Sequence, residues 1–130
     1  MILADSSAWI EFLRRTGSTA DLRVDKLVRT GELVTTDAVV MEILAGARNV
    51  AHRRSLAGLL ARFRFEPTEG PGDYEAAADV YAACRRSGET VRSLSDCLIA
   101  CVAMRAGLEL LHAGGDFEAI ARHVPLKLAK

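Results

Sequence analysis

The chain has 130 residues, 50% of them hydrophobic and 26% charged. That composition excludes a disordered tail and suits a single domain over residues 1–130, with a core that needs neither disulfides nor a structural metal. The net charge is zero and arginine outnumbers lysine fourteen to three, which excludes a uniformly basic nucleic-acid footprint but not a local one.

The first apolar run, Ile2-Leu3-Ala4, predicts a buried strand stopped by Asp5-Ser6-Ser7. Helix then follows through Phe12 and Leu13 as far as Thr16-Gly17, and a second helix runs from Thr19 to Arg29 with Leu22, Leu27 and Val28 inward. Leu33-Val34-Thr35 is a strand, and Thr36 or Asp37 caps a helix over Val39–Ala47. Further helices are predicted over Arg53–Arg62 and Tyr74–Arg86, with a short strand at Arg64-Phe65-Glu66 between them and a loop at Pro67–Gly72. A helix carrying Leu98, Ile99 and Val102 ends at Gly107, Glu109–His112 is a strand, and Asp116–Arg122 is the last helix, with an edge strand after Pro125.

Short apolar strands alternating with helices predict an α/β fold: three layers, α/β/α, around a mainly parallel sheet of four to five strands. In such sheets ligands bind beyond the carboxyl ends of the strands. Asp5 closes the first strand, and Asp116 follows the last across Ala113-Gly114-Gly115. Glu42 lies about one turn into its helix and Asp96 near the start of another. Taken singly, each acid has a plain role as helix cap, first-turn residue or solvated face residue. As a set they point to metal chemistry. Crowded carboxylates raise one another's pKa, and a divalent cation removes that penalty. Mg²⁺ and Mn²⁺ prefer oxygen donors, and such a cation promotes phosphodiester hydrolysis.

Four blocks carry a resemblance. They are Asp5-Ser6-Ser7 after the first strand, Met41-Glu42-Ile43-Leu44-Ala45-Gly46, Ser93-Leu94-Ser95-Asp96-Cys97-Leu98-Ile99-Ala100, and Leu110-Leu111-His112 followed by Gly115-Asp116-Phe117. In this order and spacing they resemble the PIN domain, as found in VapC-type toxins of bacterial toxin–antitoxin pairs, especially the actinobacterial kind. The resemblance covers nearly the whole chain. It implies an endoribonuclease dependent on Mg²⁺ or Mn²⁺, acting on RNA, homodimeric and held by a VapB-type antitoxin. Carried over by position, Asp5, Glu42 and Asp96 match the metal-binding acids, and Asp116, the acid of the closing Asp-Phe pair, is expected to join them as a catalytic and metal-binding residue. One departure stands out: Gly114 occupies a place where many relatives carry an acid or Asn, which predicts a single tightly held metal.

Ser6 and Ser7 are placed to hold Asp5, and Ser93 to orient Asp96, with helix capping compatible in each case. Arg92, just before the Asp96 segment, is the candidate RNA contact. Arg14, Arg15, Arg85 and Arg86 read either as a phosphate-binding rim or as solvated helix ends. His112 is read as peripheral, since hard cations prefer oxygen. Cys97 and Cys101 are two thiols without a second pair, so they read as core. Trp9 is either a core aromatic or an interface anchor. Three cysteines without a secretory framework, an N-terminus without a charged leader, and no apolar run of membrane-spanning length predict a cytoplasmic protein. The competing class is a PIN-like binding module of weak or absent catalysis acting through dimer and partner contacts. A DNase is the nearest chemical neighbour, because metal-assisted hydrolysis does not need a 2′-hydroxyl.

Overall fold

The computed structural model describes residues 1–130. Four strands, β1 (Ile2–Ala4), β2 (Leu33–Thr35), β3 (Arg64–Phe65) and β4 (Glu109–Leu111), form one parallel sheet in the order β3-β2-β1-β4. Parallel neighbours require crossover connections, and helices supply them. These are α1 (Ser6–Leu13), α2 (Thr19–Thr30), α3 (Asp37–Ala45), α4 (Val50–Leu60), α5 (Gly72–Arg86), α6 (Leu94–Ala106) and α7 (Phe117–Ala121). The chain steps outward from β1 to β2 to β3, then returns to place β4 on the other side of β1. That reversal is the topological switch point at which an open α/β sheet forms its crevice. Asp5 leaves β1 and the segment 112–116 leaves β4, so both enter this crevice.

The strands are short but their inner residues are buried on both faces, as parallel strands covered by helices must be. Leu3, Leu33, Val34 and Leu110 are fully shielded. Residues 97 and 99–103 of α6 are all buried, which makes it the central helix of the core. Trp9 and Phe117 are the largest fully buried side chains, each worth about 1.5–3 kcal/mol or more by area. Trp9 packs edge-on against Phe12 with ring centroids 5.8 Å apart, and also against Phe63, so it is a core aromatic. Cys84, Cys97 and Cys101 are free and buried.

Several boundaries differ from the sequence pattern. The first helix stops at Leu13, because Arg14 caps it and Arg15 turns to φ +51. The fourth begins at Val50, where the Asn49 side chain accepts from His52 N–H at 2.8 Å. In α2 the inward stripe is Ala20, Val24 and Leu27, while Leu22 is 62% exposed. The Ser18 cap sets that rotation by accepting from Asp21 N–H, and the Asp21 carboxylate accepts from Gly17 N–H. Past Pro125 the tail adds a single parallel bridge, Leu110 to Leu128, rather than a full strand.

A second polar assembly fixes the loop before α5. Arg105 on α6 donates to both oxygens of Asp73 and, through Nη2, to the carbonyl of Pro67 at 2.9 Å. Asp73 also accepts from Glu69 N–H. The Arg105 guanidinium holds the Asp73 carboxyl below its ordinary range, against the opposing effect of burial.

Candidate active site

Asp5 is the N-cap of α1 and is nearly fully buried. Its Oδ1 accepts from Ser7 Oγ–H at 2.7 Å and from Ala8 N–H at 3.1 Å. Ser7 Oγ in turn accepts from Ala113 N–H at 2.9 Å. One hydroxyl therefore ties the end of β1 to the loop after β4. Burial raises the Asp5 carboxyl above its ordinary value, while the Ser7 hydroxyl and the Ala8 amide pull it down.

Glu42 comes from α3 and is half-buried. Burial is the main cause of its raised pKa, the Ser6 hydroxyl opposes that, and the Asp5 charge adds to it. Its Oε1 is buried with no hydrogen-bond partner. A carboxylate oxygen shielded from water without a donor is costly, and a cation is the natural remedy.

Asp96 occupies the first turn of α6, with its amide donating to Ser93 Oγ at 3.2 Å. Desolvation pushes its carboxyl up to about 6. The Asp116 amide opposes that rise, and the charges of Asp5, Asp116 and Glu42 add to it. The four acids drawn from separate stretches of sequence thus share one electrostatic neighbourhood. No three of them are drawn together at metal-coordinating spacing.

Asp116 is engaged differently. Its Oδ2 accepts from both Arg92 N–H and Ser93 N–H at 2.9 Å, and its own N–H donates to Asp96 Oδ2 at 3.2 Å. Gly115 makes this approach feasible. It sits at φ +79, and a Cβ there would fall 2.8 Å from Asp96 Oδ2. A Cβ at Gly114 would meet nothing within 4 Å. The Arg92 side chain is exposed on the rim. His112 Nδ1 turns to the Gly114 backbone, its Nε2 lies 3.3 Å from Glu118, and its ring packs on Phe117, so it braces the loop from behind.

Sequence reasoning singled out Asp5, Glu42, Asp96, Asp116, Ser7 and Ser93, and the fold brings them to one edge of the sheet. It missed the role of Gly115 as the space-maker for Asp96, and the backbone amides of residues 92 and 93 as anchors. The Gly-Gly doublet before an acid was the available signal for the first. Backbone donors leave no residue-type signature, so nothing signalled the second.

The donor set fits a hard divalent cation: carboxylates only, Asp5 and Asp96 buried, Asp96 repelled by the other three, and one Glu42 oxygen left unpartnered.

Comparison with known proteins agrees with this geometry. The model of the PIN domain matches residues 2–123. The chain is 40% identical over 131 residues to ribonuclease VapC11 of Mycobacterium tuberculosis, covering 99% of this chain and 98% of that protein. A VapC ribonuclease of Mycobacterium bovis matches with the same identity and coverage. The fold superposes on a crystal structure of VapBC2 from Rickettsia felis bound to a promoter DNA fragment. The TM-score is 0.76 at 15% identity, covering 99% of this chain and 98% of that one. With its acids, its switch-point crevice and these likenesses together, the chain belongs to the PIN-domain family, within its VapC branch.

Proposed function

We propose that this chain is a metal-dependent endoribonuclease, the toxin of a toxin–antitoxin pair, silenced by a VapB-type antitoxin. Residues 1–130 act as one domain, homodimeric and cytoplasmic, with Mg²⁺ or Mn²⁺ as the cofactor. The observation that carries this reading is the convergence of acids at the β1/β4 switch point, where Asp5, Asp116 and Glu42 raise the proton affinity of Asp96, Asp5 raises that of Glu42, and Glu42 Oε1 is left without a donor. The similarity to VapC ribonucleases supports the choice of RNA and of an antitoxin partner.

Asp5, Glu42 and Asp96 are the residues that would hold the cation, and Asp116 stands next to them, bound to the backbone amides of residues 92 and 93. When bound, a divalent cation supplies Lewis-acid assistance to phosphodiester hydrolysis. The protein's part is placement. Ser7 fixes the Asp5 carboxylate against rotation and locks it to the β4 loop. The Asp116 amide fixes Asp96. Arg92 offers a guanidinium at the rim for an RNA phosphate. Gly114 leaves the position beside Asp116 without a carboxylate, which supports one tightly held metal ion.

The test is cleavage of total cellular RNA by purified, antitoxin-free protein in Mg²⁺, Mn²⁺ or EDTA. Discrete metal-dependent products are expected, absent with Asp5→Asn and Asp96→Asn. Absence of cleavage by folded protein across cellular and synthetic RNA would favour the binding-module reading.

A further inference from the structure

Asp96 and Asp116 each accept a hydrogen bond from the backbone of the other's segment. Asp116 Oδ2 takes the amides of Arg92 and Ser93, which lead into α6, and Asp96 Oδ2 takes the amide of Asp116. Ser93 then receives the Asp96 amide on its own side chain. The result is a closed loop of hydrogen bonds linking the entry to α6 and the turn after β4. The two segments it ties are more than twenty residues apart along the chain.

The geometry is specific about which oxygen does what. Two donors aimed at a single carboxylate oxygen use both of its lone pairs, so that Oδ2 is not available to a cation. The segment it restrains, residues 87–93, lies outside regular structure and contains Gly88 at φ +81. Arg92 is exposed, so the tether sits at the protein surface, where water competes for those two amides. The position of Asp96 depends on how α6 begins, and Asp116 is the only side chain that binds the amides of residues 92 and 93.

We propose, resting on the nuclease reading above, that Asp116 is a positioning residue. It works by clamping the 92–93 backbone and so placing Asp96, and its negative charge and direct metal coordination are dispensable. The requirement is then a hydrogen-bond acceptor at this length from the backbone. Asn satisfies it, Glu has the charge but carries its acceptor one methylene too far from the backbone, and Ala has neither.

Asp116→Asn, Asp116→Glu and Asp116→Ala are compared with wild type in three measurements: Mn²⁺ affinity by calorimetry, amide hydrogen exchange at residues 92 and 93, and Mn²⁺-dependent RNA cleavage. The expected order is wild type and Asn together, within about threefold in affinity and in cleavage, with protected amides. Glu and Ala should lose cleavage by tenfold or more and expose both amides. If Ala does not fold, the order of Asn and Glu still decides. Retention in Glu with loss in Asn would make charge, and hence ligation, the requirement and would overturn the proposal. Protected amides in Ala would overturn it equally. If wild type cleaves no RNA in any metal, the nuclease reading fails, while Mn²⁺ affinity and amide exchange still judge the clamp.

Discussion

Replacing Asp96 by Asn exchanges a carboxylate that the pocket penalises for a neutral amide of the same shape, still able to accept from the Asp116 amide. In the metal-free protein burial, with the nearby acids adding to it, lifts the Asp96 carboxyl from 3.8 to about 6. At 1.36 kcal/mol per unit, holding it ionised costs the folded state about 3 kcal/mol. Below 3.8 both folded and unfolded chains carry the proton, so this residue costs nothing. Between 3.8 and about 6 the folded chain keeps a proton that the unfolded chain has released, so stability falls as pH rises. Above that window the penalty is complete. Thermal melts in EDTA, read as the difference between the two proteins so that other titrations cancel, should show near equality at pH 3.5. The variant should lead at pH 7.5, by on the order of 10 °C for a chain of this size. Saturating Mn²⁺ should stabilise wild type and not the variant, closing or reversing the gap. A variant no more stable than wild type at pH 7.5 in EDTA, or a gap that does not change with pH, would refute the reasoning that Asp96 is held charged against its environment.

Three further outcomes follow from the geometry. Gly115→Ala should cost about 1–2 kcal/mol for its left-handed conformation alone. It should also displace Asp96, whose Oδ2 lies 2.8 Å from the new Cβ, and so weaken Mn²⁺ binding in calorimetry, whereas Gly114→Ala should leave it intact. Asp73→Asn breaks the two-oxygen contact with Arg105 and should cost about 1.5–3 kcal/mol in urea unfolding, with RNA cleavage unaffected. Arg92→Ala should flatten the dependence of log affinity for RNA on log salt by about one unit if its guanidinium meets a phosphate, and an unchanged slope would remove that contact.

Much of the site was legible because its acids stand where local sequence announces a strand end. Asp5 follows an apolar triplet and Asp116 follows another across a Gly-Gly turn. Both cues rest on hydrophobic period and on glycine, which act over a few residues. Helix ends were less legible. Leu13 closes α1 because Arg15 adopts a positive φ, a conformation that no residue pattern there requires. The exposure of Leu22 depends on the angle at which α2 leaves its Ser18 cap, and helical spacing alone accommodates either orientation.

The chain's residue order was sufficient to specify an alternating α/β architecture, the identities of the acids and their serine companions, and membership in a family. Strand order, and with it the placing of β4 beside β1 rather than beyond β3, came only with tertiary structure, because the choice of a pairing partner depends on burial across distances that no local pattern encodes. The same holds for the direction of each carboxylate. Asp5, Asp96 and Asp116 are chemically alike in sequence. Folded, the first is locked by a serine, the second carries its neighbours' repulsion, and the third is tied to two backbone amides. Hydrogen bonds to backbone and desolvation by distant residues make that distinction, and both exist only once the segments have packed.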